Sequence, residues 1–254
     1  LYSVLVLRET YMVFFLLLSL YGITLWVKDN NLKSISLAIA GFTGATFFHG
    51  AMIVGGIIFA TIVGIKSCIR FFKSLKNLYV DYKSLILIIL YVSFIGLYLT
   101  NKIRVPYLGT FEQSTNINNL QNRTDVATRG IASWPEWTTI NSPLEMIYKA
   151  PVRSVYLAYA PFPWDVKKIR HLIGMLDGIL YMYLSFLILF NIKLIWKDPI
   201  MRIFFIILLA YIFVFGIGVG NFGTGIRHRS KFVVIFILLA APFLKNFVFK
   251  KTKT

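Results

Sequence analysis

The chain has 254 residues, 57% of them hydrophobic and only 15% charged, and its mean hydropathy is +0.72. A soluble domain of this size carries more charge and shorter apolar runs, so a soluble enzyme is excluded and a polytopic membrane protein is predicted. The net charge of +17 does not imply a nucleic-acid partner, because the cations punctuate apolar runs instead of forming a basic stripe.

Measured against the ~20 apolar residues that a bilayer-crossing helix needs, the runs give about seven spans: residues 11–27, 34–48, 50–65, 85–100, 172–196, 200–219 and 232–248. The expected fold is all-α, one polytopic transmembrane helical bundle over residues 1–254, with a large extracytoplasmic loop at 101–170 that carries short interfacial helices. Residues 1–7 (LYSVLVL) read as the last turns of an earlier span. The chain is therefore expected to be truncated at its N terminus, the alternative being a processed or renumbered terminus. Residues 34–65, with His49-Gly50 at their middle, are predicted as two short helices with the histidine at the turn. One long tilted helix, with His49 at mid-membrane, is the alternative. Gly41, Gly44, Gly55, Gly56 and Gly64 suit close helix packing. The single cysteine, Cys68, excludes an internal disulfide and any multi-cysteine metal site.

Sidedness follows from lysine and arginine in the short loops. Lys28, Lys33, Lys66, Arg70, Lys73, Lys76, Lys83, Lys193, Lys197, Arg202, Lys245, Lys250, Lys251 and Lys253 fall on one side, predicted cytoplasmic together with the C terminus. Trp26 and Trp196 fall at its interface, as an aromatic belt requires. The opposite side receives Arg8-Glu9, residues 101–170, residues 221–229 and all three histidines, His49, His171 and His228.

Residues 101–170 are too many for a passive connector. The stretch opens on an asparagine-rich polar tract, with a short glycosylation-like match at Asn122-Arg123-Thr124. Trp134-Pro135-Glu136-Trp137 reads as an aromatic turn whose indoles suit either sugar faces or a lipid interface. Ser142-Pro143-Leu144-Glu145 has capping-box spacing and opens a helix that Pro151 is expected to interrupt. Leu144, Ile147, Tyr148, Val155 and Leu157 would lay that segment on the membrane surface, with Arg153 among them. The rigid turn Pro161-Phe162-Pro163-Trp164-Asp165 fixes an acid and an indole at one height above the bilayer. Asp177 falls inside the fifth span, where an acid is either functional or ion-paired. His171 and an arginine of the last outer loop are its expected partners.

Between the last two spans lies Gly220-Asn221-Phe222-Gly223-Thr224-Gly225-Ile226-Arg227-His228-Arg229-Ser230. Turn chemistry alone does not require two arginines around a histidine. Glycines let backbone N–H groups approach a ligand, and arginine forks match phosphate oxygens. An anion-binding rim is predicted, with a basic loop touching lipid headgroups as the plain alternative. Gly218-x-Gly220-x-x-Gly223 spells a dinucleotide fingerprint, but it ends a span and has no strand–turn–helix context. No motif asks for a metal or a cofactor, and none is expected.

Four pieces of the chain, in order, carry a resemblance: Leu7-Arg8-Glu9, His49-Gly50, residues 160–165 (APFPWD) and residues 221–229 (NFGTGIRHR). In these the chain resembles the polytopic membrane proteins of bacterial O-antigen and exopolysaccharide gene clusters and is loosely similar to Wzy-type polymerases. The resemblance implies residence in the bacterial inner (plasma) membrane. Its implied partners are an undecaprenyl-diphosphate-linked glycan, the lipid bilayer and other polysaccharide-assembly membrane proteins. The implied activity is glycosyl transfer at the extracytoplasmic face.

For such a reaction, Arg227, Arg229 and Arg8, with Arg153, are expected to hold the lipid diphosphate leaving group. Asn221, His49 and Trp164 complete the expected substrate contacts. Asp165, Glu9 and His228 are the candidates to take the acceptor hydroxyl proton, and the sequence does not rank them. Two other functions stay open. A single-sugar transferase using a polyprenyl-phosphate sugar would carry an acidic motif in its first outer loop, here reduced to Glu9. A non-catalytic transporter or assembly subunit would spread polar residues through the membrane depth.

Overall fold

The computed structural model describes residues 2–115, 132–166 and 168–244. Described residues form α1 (Tyr2–Asp29), α2 (Leu32–Phe48), α3 (Ile53–Lys76), α4 (Tyr82–Leu99), α5 (Phe111–Thr115), α6 (Pro143–Tyr159), α7 (Ile169–Phe190), α8 (Ile192–Lys197), α9 (Pro199–Gly218), α10 (Phe222–Arg229) and α11 (Val233–Leu244). Among the described residues five helices are long and apolar enough to cross a membrane, so this is a multi-pass membrane protein. They comprise α1 from Arg8, Gly50 to the end of α3, α4, α7 from His171, and α9. At 17 residues, α2 is shorter. The glycosylation-like match, most of the polar tract and Lys245, Lys250, Lys251 and Lys253 lie outside the described residues.

α1 and α2 form an antiparallel hairpin. Asn30 closes it in the left-handed region at φ 49, and the Asn31 side chain accepts the Lys33 N–H at 3.1 Å, which starts α2. A Cβ on Gly41 would lie 2.6 Å from the backbone nitrogen of Ser19, so the two backbones touch only because residue 41 has no side chain. α9 is the central helix. It packs on α6, α3, α11 and α1 and buries Ile203, Ile207, Tyr211 and Phe215 on those neighbours.

Several sequence expectations change. No break separates residues 2–7 from the first span, because α1 runs unbroken through Arg8 and Glu9. The single tilted helix over 34–65 does not form. His49 is extended (φ −151, ψ 110) between the end of α2 and a 3-10 turn at Gly50–Met52. The helix that follows continues past residue 65 to Lys76, since lysine and arginine are good helix formers and no Gly or Pro stops it. The fifth span divides at Asn191, which separates α7 from α8.

Pro151 does not interrupt its helix: α6 is continuous across it. The ~3 kcal/mol proline penalty is offset by burial of Ala150, Tyr156, Leu157 and Ala158. Leu144, Ile147, Tyr148 and Val155 are exposed as expected, but Leu157 belongs to the core. Trp26 is buried beside Phe59, with the Lys66 ammonium 4.5 Å from its ring centre, rather than standing in a lipid-facing belt.

Candidate functional site

The Asn221 side chain accepts the N–H groups of Gly223 (2.9 Å) and Thr224 (3.5 Å) and so starts α10. The preceding turn is stitched to the segment around Trp134. Trp134 N–H donates to the Gly220 carbonyl (2.8 Å), and Phe222 N–H donates to the Ala132 carbonyl (2.9 Å). Asn221, expected to touch substrate, therefore has its side-chain oxygen occupied. Successive residues on a helix are ~100° apart, so Arg227, His228 and Arg229 leave α10 in three directions and enter separate environments.

Arg227 reaches α1, where its Nε donates to Glu9 Oε1 at 3.1 Å. Its side chain is 46% exposed, and its Nη groups are uncommitted among the described residues. The second Glu9 oxygen, Oε2, is buried with no hydrogen-bond partner there. Arg8, one residue earlier, donates from Nε to the Phe48 carbonyl at 2.7 Å and from Nη2 to the same oxygen. A cation thus meets the C-terminal end of α2.

His228 turns inward. Its ring lies 5.0 Å from that of His49 and 5.0 Å from that of Phe215. Lys231 Nζ is 2.8 Å from His228 Nδ1, and His49 Nδ1 accepts the Ala51 N–H at 3.3 Å. His49 and Lys231 sit in connectors and His228 in the short α10, so all three lie outside the spanning helices. Burial, followed by the charges of Lys231, Arg8 and Arg227, brings His49 down to about 4. Burial, then Lys231, His49 and Arg227, brings His228 down to about 3. Burial lowers Lys231 to about 8 against the opposing pull of Glu9. At neutral pH both imidazoles are uncharged, while Arg8, Arg227 and Lys231 surround one carboxylate.

Arg229 takes the third direction and is 0% exposed. Its Nε donates to Asp177 Oδ2 at 2.8 Å, with Nη2 2.7 Å from the same oxygen in the ion pair, while Nη1 donates to the carbonyls of Ala158 (3.3 Å) and Ala160 (2.7 Å) and Nη2 to that of Gly174 (3.0 Å). Fully enclosed and held by these contacts, the guanidinium is out of reach of a substrate anion, so the geometry gives Arg229 a structural place. Of the two expected partners of Asp177, the arginine forms the ion pair. A Cβ on Gly178 would stand 2.1 Å from the Tyr159 carbonyl, and this close approach of α7 to α6 lets one guanidinium bridge both.

Arg153 is likewise 0% exposed. It donates to the carbonyls of Gly216 (3.2 Å), Ile217 (3.1 Å), Val219 and Thr138 (2.9 Å). It closes the C-terminal end of α9 and ties the segment around Thr138 to it, in place of the expected contact with a leaving group.

Asp165 is buried in the 3-10 turn Pro163–Asp165, where its Oδ2 accepts the Phe162 N–H at 3.2 Å. His171 Nδ1 lies 3.3 Å from the Asp165 carbonyl, and its ring is 5.8 Å from that of Phe222. Pro161, His171, Phe222, Gly223, Ile226 and Ala132 line a hollow of about 250 Å³. Trp164, 73% exposed, stacks on Phe162 at 4.9 Å. The expected single cluster is thus several groupings. Arg8, Glu9, His49, Arg227 and His228 meet in one, while His171 lines the hollow with Ile226, Asp165 meets the His171 ring through its carbonyl, and Trp164 lies on Phe162.

Sequence reasoning missed Lys231. Its signal was a lysine three residues after His228 at the mouth of an apolar run, a spacing that a 3-10 turn brings onto one side. No protein-family model, curated protein or solved structure matches the chain.

Proposed function

We propose that the protein is a membrane-embedded glycosyltransferase of bacterial surface-polysaccharide assembly, polymerising an undecaprenyl-diphosphate-linked saccharide at the extracytoplasmic ends of its helices. One observation carries the reading. The uncommitted fork of Arg227 lies beside Glu9, which keeps one carboxylate oxygen without a partner, and Arg8 and Lys231 flank the pair. In the proposed step an acceptor hydroxyl attacks the anomeric carbon, and the bond from that carbon to the diphosphate oxygen breaks. The hydroxyl proton passes to Glu9, and the diphosphate leaves with the bonding pair. Arg227, Arg8 and Lys231 stabilise that charge. The leaving group draws the Arg227 fork from Glu9, and the freed carboxylate becomes more basic.

The exposed Trp164 indole, stacked on Phe162, offers an apolar face for sugar rings. A seven-span topology with a cytoplasmic C terminus belongs to the same reading, with α2 and the α11 segment as the two additional spans. Addition of a single sugar from a polyprenyl-phosphate donor is the second reading, and the reduction of its expected acidic motif to Glu9 weighs against it.

Full-length protein in lipid nanodiscs, supplied with an undecaprenyl-diphosphate-linked repeat unit, is expected to yield a ladder of products. One added sugar moves the assignment to the second reading. Binding without turnover marks an assembly subunit, and neither binding nor turnover overturns the proposal.

A further inference from the structure

The other end of the bundle holds a charge imbalance that the glycosyl-transfer reading does not use. α1, α3 and α9 each carry the Glu9–Lys231 cluster, or the connectors that build it, at one end. Their opposite ends bring Asn30, Lys66, Arg70 and Arg202 together. Lys66 lies within electrostatic range of both Arg70 and Arg202. The nearby acids serve helix starts instead. Asp81 accepts the Ser84 N–H (3.3 Å) and hydroxyl (2.6 Å) and starts α4, and the Ser84 hydrogen bonds hold its carboxyl below the usual range. Asp198 accepts the N–H groups of Ile200 and Met201 at 2.8 Å and starts α9. Among the described residues none of Lys66, Arg70, Lys83 and Arg202 has a carboxylate ion-pair partner.

Beside these cations is a cavity of about 130 Å³, lined by Asn30, Leu32, Ile35, Arg70, Asp81, Lys83, Ser84 and Leu87. Arg70 donates to the Asn30 side-chain oxygen, which holds the guanidinium at the cavity wall and leaves most of its N–H groups uncommitted. Two cations stand over a floor of Leu32, Ile35 and Leu87. α4, which borders the cavity, packs chiefly on α3, with only 6% of its apolar window buried. A polar seat for an anion thus opens onto a bare apolar helix.

We propose that this cavity binds a phosphate group, specifically the headgroup of an anionic phospholipid whose acyl chain lies along Leu87 and the exposed face of α4. Arg70 supplies a fork for the phosphate oxygens and Lys83 a point charge. The bound lipid offsets the mutual repulsion of Lys66, Arg70 and Arg202 and fastens the peripheral α4 to the bundle.

Native mass spectrometry and thermal melting of the full chain in a neutral detergent test this, with phosphatidylglycerol, phosphatidylcholine and inorganic phosphate as probes. The wild-type chain is expected to retain phosphatidylglycerol at least tenfold better than phosphatidylcholine and to melt at a higher temperature with it. Arg70→Ala with Lys83→Ala abolishes both effects, and Asn30→Ala weakens them several-fold. Lys193→Ala with Lys197→Ala, which removes the same charge from the same end, leaves both unchanged. Arg70→Lys keeps the charge and loses the fork, so it gives an intermediate result in a chain expected to fold. A shift reproduced by inorganic phosphate alone retains the phosphate seat and overturns the lipid as its source. Equal retention of phosphatidylglycerol by wild type and the Arg70/Lys83 double variant, or equal loss in the Lys193/Lys197 control, overturns the proposal.

Discussion

Lys231 Nζ stands 2.8 Å from His228 Nδ1 across a single 3-10 turn. The ammonium donates, so His228 accepts at Nδ1 and carries its proton on Nε2, which leaves it no lone pair to take a proton from an acceptor. Asp165 is committed to the Phe162 N–H. For the proposed transfer, Glu9, with a buried oxygen lacking a partner among the described residues, is therefore the base we propose among the three candidates.

The buried histidines set a pH dependence. Unfolded imidazoles take up protons near 6.5, whereas His49 and His228 do so only at about 4 and about 3. Between those values the unfolded chain binds more protons, so stability falls as pH drops below about 6.5. Lys231 acts in the same sense at higher pH, with stability rising from about 8 toward 10.5. Melting temperatures of wild type and a His49→Gln, His228→Gln double variant, measured from pH 4.5 to 7.5, check this. The variant should show a shallower fall, and equal slopes would remove the histidines as the cause.

Arg229→Ala should cost about 3 kcal/mol, the low end of the range for breaking a buried pair, because the side chain of its partner Asp177 is 36% exposed. A double replacement, Arg229→Met with Asp177→Leu, should recover much of that loss, since neither charge is then stranded. Denaturant midpoints in detergent micelles report both values. A double variant no more stable than the single would contradict the account.

Arg153 holds three carbonyls at the end of α9 and that of Thr138 in the loop before α6. Arg153→Lys cannot reproduce that fork. Hydrogen exchange should then accelerate at the Trp134 and Phe222 amides, which join the loop to the last outer turn, while the buried middle of α9 stays protected. Unchanged exchange at these two amides would show that the loop is held by other contacts.

The sequence made the apolar helices legible because span length and hydropathy are local properties, and it marked His49 as a breakpoint because glycine follows it. It also drew attention to 221–229, but a run of letters does not show that neighbouring side chains on a helix diverge. Arg227, His228 and Arg229 looked like one rim, and rotation along α10 gives them to α1, to the His49 pocket and to α7. Pro151 misled for a related reason. A local penalty was read as a stop, while the burial that offsets it comes from α9, distant in sequence.

Binding of undecaprenyl diphosphate to the nanodisc-embedded chain measures the role of the Arg227–Glu9 pair most directly. Arg227→Ala should weaken binding at least tenfold. Glu9→Gln should bind as tightly as wild type or more tightly, because it frees the arginine fork and removes a negative charge, while glycosyl transfer is lost. Undiminished binding by Arg227→Ala, or loss of binding by Glu9→Gln, would contradict the account.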